Sequence, residues 1–314
     1  MLRTIRFFLL TFFMVACPLS VAAAEQRPNI VIMLSDNLGF GDPGVYGGGI
    51  TRGAPTPHID QLAAEGMRFT NFNVEAECTP SRSALMTGRM PIRSGTTRAI
   101  PVPGLPVGLS PWEYTLAEML SDRGYRTAIF GKWHLGYVPE RLPLNQGFDE
   151  WWGFPFSTDV AWYREAVGFE PSLFQVPRLY QGRKGGQLQA LEPYDASVRP
   201  FIDSRIAEKS VAYINAHAED EKPFFLYFST PIPHNPLQAP KEWVDHYVEK
   251  FGDEEPYLGD KGYFPHRYPH AAYAAQISYM DDQIGQMTDL LKELGLYENT
   301  VIMFTSDNGP TYSG

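Results

Sequence analysis

The 314-residue sequence predicts an α/β fold, a mostly parallel central sheet sandwiched by helices. Three observations carry that expectation. Short runs rich in β-branched and aromatic residues recur along the chain. Segments of helical periodicity alternate with them. The runs are apolar throughout, as strands covered on both faces are, and do not alternate with polar residues.

Asn29 to Ser35 is the first such strand. Thr56 and Pro57 read as N-cap and first residue of a helix that continues to about Glu65 and stops at Gly66. Met67 to Val74 reads as a second strand. Pro80 suits the first turn of a helix running through Ala84 and Leu85 to Gly88. Thr115 caps another helix, with Leu116, Met119 and Leu120 on one face and Gly124 at its end. Arg126 to Phe130 is a strand, Ile202 to about His217 a helix, and Phe224 to Phe228 a strand. The clearest helix is Ala271 to Leu294. Its apolar residues Ile277, Met280, Ile284, Met287, Leu291 and Leu294 are spaced by three and four, which places them on one face. Gly295 stops it, and Val301 to Thr305 follows as a strand. Residues 137–200 and 231–269, rich in Pro, Gly and aromatics, read as loops over a site. The sequence reaches Gly314 soon after a strand, so a further C-terminal part of the fold is expected.

The N-terminus has the layout of a cleaved export signal: Arg3 and Arg6, an apolar run from Phe7 to Val15, and small residues Val21 to Ala24 before Glu25. Cys17, after Met14-Val15-Ala16, offers an alternative lipoprotein cleavage site. Pro18 interrupts the run, which is short for a membrane span. The expectation is a signal peptide over 1–24, a domain over 25–314, no stable membrane span, and a periplasmic or extracellular location. The formal charge of −10 lacks the clustered Lys and Arg that duplex binding needs, so nucleic acid is excluded as a partner. An anionic substrate would need a local cationic pocket working against the overall field. The two cysteines are Cys17 and Cys78. Once the signal is removed, Cys78 has no internal partner, and is buried filler, an intermolecular bridge or a reactive centre.

In open α/β sheets, working residues lie just beyond the carboxyl ends of the strands. Here those positions hold Asp36-Asn37, Asp307-Asn308, Lys132 and His134, His234, and the segment Glu77-Cys78-Thr79-Pro80-Ser81-Arg82. Asp36, Asn37, Asp307 and Asn308 are hard oxygen donors that suit calcium or magnesium, whereas zinc would favour His and Cys. The plain alternative is turn and cap chemistry. Lys132, His134, His234 and Arg82 would supply positive charge to a tetrahedral oxyanion. A thiol near a helix N-terminus and beside Arg82 is expected to have a lowered pKa, as in Cys–His hydrolases. No partnering His can be chosen from spacing, the nearest being His58 on a helix that reads as solvent-facing.

Taken together, these motifs resemble the type I, formylglycine-dependent sulfatases of the alkaline-phosphatase-like superfamily. The string Cys78-Thr79-Pro80-Ser81-Arg82, continuing to Gly88-Arg89, is similar to that family's maturation signature. The likeness extends in order through Pro28 to Asp42, Thr56 to Gly66, Gly124 to Gly136, His234, and Tyr279 to Pro310. It implies a sulfuric ester hydrolase of arylsulfatase type, acting on a sulfated small molecule or saccharide. It implies that a formylglycine-generating enzyme oxidises Cys78 to an aldehyde, whose hydrate attacks sulfur with one hydroxyl and expels sulfate through the other. Asp36, Asn37, Cys78, Asp307 and Asn308 would hold calcium, with magnesium as the substitute. Arg82 would steady the diol, Lys132 and His234 would bind sulfate, either Lys132 or His234 would protonate the leaving oxygen, and His134 would contact the second hydroxyl. Ser157 would add a polar contact, and Trp151, Trp152, Trp162 and Tyr163 would stack on the leaving group or pack. Two departures stand out. Asn37 replaces the family's second Asp, and the family's further Lys and smaller C-terminal subdomain lie outside residues 1–314. The alternatives are a catalytically impaired anion-binding homologue, and a phosphatase or phosphodiesterase of the same superfamily.

Overall fold

The computed structural model describes residues 27–101, 106–165, 167–173 and 175–310, with backbone only at 162 and 163. The expected signal peptide, Cys17 and the side chains of Trp162 and Tyr163 lie outside the described residues. In chain order the elements are β1 (Asn29–Asp36), α1 (Pro57–Glu65), α2 (Cys78–Thr87), α3 (Pro91–Ser94), α4 (Leu116–Asp122), β2 (Arg126–Lys132), β3 (Glu150–Phe154), β4 (Arg178–Arg183), β5 (Gln189–Pro193), α5 (Ile202–Ala216), β6 (Phe224–Pro233), α6 (Lys241–Phe251), α7 (Pro269–Glu293) and β7 (Thr300–Ser306). Short 3-10 turns link several of them.

The strands form one seven-stranded sheet in the order β5-β4-β3-β2-β6-β1-β7. From β3 to β7 every pairing is parallel, while β4 and β5 extend the edge antiparallel. Alternate residues of the central strands bury into two cores, one on each face. Val31, Met33, Phe130, Leu226 and Phe228 meet α5 and α7 on one side. Ile32, Leu34, Ile129, Phe225 and Tyr227 meet Met86, Ala117 and Leu120 from α2 and α4 on the other. Covering on both faces explains why these strands read as continuous apolar runs.

Among the described α-helices, only α4 is capped by the side chain of its own N-cap residue. Thr115 and Glu118 form a reciprocal capping box on α4, whose Ala117 and Leu120 are buried while Met119 is exposed. Thr56 precedes α1 as expected, but its hydroxyl accepts from the Gly44 amide at 2.8 Å. Asp281, midway along α7, takes the capping role instead, accepting from the amides of His58 at 3.1 Å and Ile59 at 2.9 Å. This contact docks α1 against α7, and His58 lies so close to Gly285 that a Cβ there would meet its ring at 2.5 Å. The helix carrying His58 is therefore packed, not free in solvent.

Two sequence expectations are corrected. Met67 to Val74 forms no strand: it joins no described sheet, and Met67, Phe69 and Phe72 are 79%, 59% and 59% exposed. β propensity measures fit to a pleated, half-buried surface, and without a neighbouring ladder it does not make a strand. Residues 137–200 are not simply loop, because β3, β4 and β5 lie within them, and residues 231–269 hold the end of β6 and all of α6. Proline, glycine and aromatic content masked three short strands, of which β3 pairs parallel with β2 while β4 and β5 extend the sheet antiparallel.

Candidate active site

The register of the sheet gathers the site. β1 and β7 are parallel neighbours with Ser35 opposite Ser306. Asp36-Asn37 and Asp307-Asn308 therefore leave the sheet side by side. β6 lies between β1 and β2, so Lys132 at the end of β2 and His234 just past β6 arrive at the same rim. The N-terminus of α2 delivers Cys78, and Arg82 follows one turn later on the same face.

All these groups are buried except Asn308, which is half-buried. Lys132 Nζ lies 2.5 Å from Asp36 Oδ2 and 3.5 Å from Cys78 Sγ. The same thiol lies 3.5 Å from Asp36 Oδ1. Arg82 donates through Nε to Asp307 Oδ2 at 3.0 Å and through Nη1 to the Lys132 carbonyl at 3.1 Å and Ser229 Oγ at 2.6 Å. The Asn37 amide donates to Asp307 Oδ1 at 3.1 Å, and Asn308 Nδ2 donates to Asn37 Oδ1 at 2.5 Å. Asn37 adopts φ 68°, a left-handed conformation that Asn tolerates better than most residues. Asp36, Cys78 and His234 each offer a metal-type ligand atom within 4.8 Å of the others.

The imidazoles have defined tautomers. His134 Nε2 lies 3.1 Å from the Ile100 carbonyl, which can only accept, so Nε2 carries the proton. Nδ1 is left as a buried acceptor with no partner among the described residues. His234 Nδ1 likewise faces the Asn235 carbonyl at 2.6 Å, and Nε2 is 3.5 Å from Ser157 Oγ. Burial holds both imidazoles below their ordinary pKa, with Lys132 adding to the effect. Both are neutral at pH 7.

Burial alone would raise the Asp36 pKa, but the charges of Lys132 and Arg82, joined by His234 when that imidazole is protonated, outweigh it and hold the carboxyl well below the usual range. Burial and then Asp36 push Asp307 up. Burial disfavours the Lys132 ammonium, yet Asp36 more than restores it. The thiol departs from expectation: burial, then Asp36, push Cys78 well above its ordinary value despite Lys132 and Arg82. Two carboxylates near the sulfur and loss of water override the helix N-terminus.

Asp36, Asn37, Cys78, Arg82, Lys132, His234, Asp307 and Asn308 thus gather at one rim, with Ser157 beside His234 and His134 just past the end of β2. Trp151 and Trp152 do not join it. They are 1% and 2% exposed and serve the core. Sequence reading missed Ser229, which ties Arg82 to the Lys132 carbonyl, donating to that carbonyl at 2.7 Å. It also missed Arg199, which donates to the His234 carbonyl at 3.2 Å. Neither shows a local motif. Only their burial in a polar network marks them.

Fold and site together define an α/β protein whose carboxyl rim gathers carboxylate, amide, cationic, imidazole and thiol side chains. A family model described as Sulfatase matches residues 28–314. The chain belongs to the sulfatase family. Human arylsulfatase A is 34% identical over 301 residues, covering 92% of this chain and 53% of the relative. N-acetylgalactosamine-6-sulfatase from Rattus norvegicus is 34% identical over 311 residues, covering 94% and 52%. Among solved structures, the PsFucS1 sulfatase from Pseudoalteromonas sp. superposes with TM-score 0.74 at 37% identity, covering 90% of this chain and 55% of that one. The chain spans about half the length of the curated relatives it matches.

Proposed function

We propose that this protein hydrolyses sulfate esters at the Cys78 rim, with Cys78 as the precursor of formylglycine and calcium as the metal. The supporting observation is the placement of Cys78 Sγ 3.5 Å from both Lys132 Nζ and Asp36 Oδ1. A buried thiol held protonated is a poor nucleophile, so a Cys-thiolate hydrolase fits badly. The same position suits a precursor that gains oxygen chemistry after oxidation.

The residues fit a hard divalent cation. Asp36, Asn37, Asp307 and Asn308 supply oxygens, and Asn308 Oδ1 is buried with no hydrogen-bond partner among the described residues. The charges of Asp36 and Asp307 are matched by those of Arg82 and Lys132. With Asp307 ionised the cluster is neutral, and a further cation would add the attraction for an anion. A pair of zinc ions, as in related phosphatases, would call for more imidazole than His234 beside Asp36 and Cys78. Bound at these oxygens and position 78, calcium would polarise the sulfate oxygens, and the aldehyde hydrate would supply the attacking hydroxyl.

The chain's own residues do the rest. Lys132 holds an ammonium where sulfate charge must be balanced. Arg82 is fixed by Asp307, Ser229 and a carbonyl, so it stabilises charge without reorganising. His134 Nδ1 is an acceptor able to take a proton from a hydroxyl at position 78. His234 is neutral, so the standing proton donor for the leaving oxygen is Lys132. His234 becomes a donor on taking up a proton beside the anion. The proposal includes maturation by a formylglycine-generating enzyme and a periplasmic or extracellular location, supported by the export-type N-terminus. The test is turnover of an aryl sulfate by the matured full chain. Activity abolished in Cys78→Ala with an unchanged fold supports the reading, and wild-type rates in that variant refute it.

A further inference from the structure

Tyr263 stands on the solvent side of the cluster. Its ring makes a perpendicular contact with His234, centroids 5.8 Å apart at 89°. Its backbone has φ 65°, a left-handed value that costs a bulky residue energy and persists only where its surroundings impose it. The segment is held from both ends. Tyr257 and His266 form a two-way backbone bridge at 3.0 and 2.9 Å. Glu254 accepts from the first amides of α7, His270 at 2.9 Å and Ala271 at 3.1 Å. Gly259 and Gly262 take the left-handed turns between. Yet the ring this loop presents is 38% exposed, whereas His234 is buried.

We propose that Tyr263 is a specificity-determining residue that receives the organic part of the ester. The inference rests on the sulfatase reading above. His234, whose ligand atom lies within 4.8 Å of those of Asp36 and Cys78, touches the part-exposed ring of Tyr263, and these contacts define the path we assign outward from the cluster. An ester with its sulfate against the cations has its alcohol portion leaving along that path. The aromatic ring beside His234 on that path is Tyr263. The alcohol class selected is one with a flat or C–H-bearing ring face, aryl or sugar, able to stack on Tyr263.

The experiment uses the matured full chain with an aryl sulfate, a sulfated monosaccharide and inorganic sulfate as inhibitor. Two variants separate the ring from the backbone. Tyr263→Asn removes the ring while keeping a residue that tolerates the left-handed conformation, and Tyr263→Phe keeps the ring. The expected result is a KM raised about three- to tenfold in Tyr263→Asn for one or both esters. Tyr263→Phe, which keeps the ring, should recover most of the change in KM seen in Tyr263→Asn, and inhibition by inorganic sulfate should stay within about twofold in both, as expected of a site that leaves the anion contacts intact. The ester more affected identifies the ring class. Unchanged KM for both esters overturns the inference, as does a sulfate inhibition constant that moves as far as KM. A wild-type enzyme inert on every sulfate ester instead overturns the sulfatase reading, and this inference with it.

Discussion

Arg199 and His234 are joined side chain to backbone across the end of β6: the Arg199 guanidinium donates to the His234 carbonyl at 3.2 Å. The same guanidinium pairs with Asp203 at 3.0 Å, and Thr230 donates to the other Asp203 oxygen at 2.6 Å. A fully buried ion pair thereby ties the start of α5 to the loop that carries one of the two site imidazoles.

Removing one partner of that pair strands the other charge. Arg199→Met should destabilise the protein by about 3–5 kcal/mol, because Asp203 is left buried and unpaired. The double variant Arg199→Met, Asp203→Leu should recover much of that loss. Urea denaturation of the three proteins checks this. A double variant as unstable as the single one would show that the pair's charge is not the issue.

At position 37 the sign of the effect depends on the metal. Asn37→Asp adds a third carboxylate to a buried group of two, so in chelator the variant should melt lower than wild type. With calcium the added charge should tighten binding about tenfold, close to 1.4 kcal/mol. Thermal melts across a calcium titration measure both limbs. A calcium response identical to wild type would remove Asn37 from the ligand set.

The neutral imidazole of His134 gives a pH dependence of known direction. Its folded pKa lies below the unfolded value, so the unfolded chain takes up more protons once the pH drops below about 6.5. The stability that His134 contributes is present above that pH and is lost as pH falls toward the folded pKa. Relative to His134→Asn, which does not titrate, wild type should lose up to about 1.4 kcal/mol per pH unit in that window. A stability difference that stays flat from pH 7 to 5 would contradict a depressed pKa.

Much of the site was legible because a parallel sheet places chemistry at one end of its strands. Asp36, Lys132, His234 and Asp307 each lie at or just past an apolar run, and a run covered on both faces is easy to see. Cys78 and Arg82 follow from the residue spacing at the start of α2. What stayed hidden depends on contacts distant in sequence. Met67 to Val74 has strand-like residues but no ladder, and β3 to β5 are short strands whose pairing alone makes them regular. Arg199 reaches a carbonyl, and Tyr263 faces a ring in another loop. No periodicity encodes either. The thiol's raised pKa also came from the tertiary surroundings: its helix position argued for a shift downward, and two carboxylates plus burial reversed it.

The central claim is that the atom at position 78 is oxygen in the working protein. Mass spectrometry of the Cys78 peptide, from full-length protein made in a host able to convert such cysteines, tests it directly, with a hydrazide probe to capture any aldehyde. The account predicts a peptide carrying a carbonyl in place of the thiol and labelled by the hydrazide. A peptide that instead retains a thiol, alkylated in full after denaturation, while the protein still turns over sulfate esters, would contradict it.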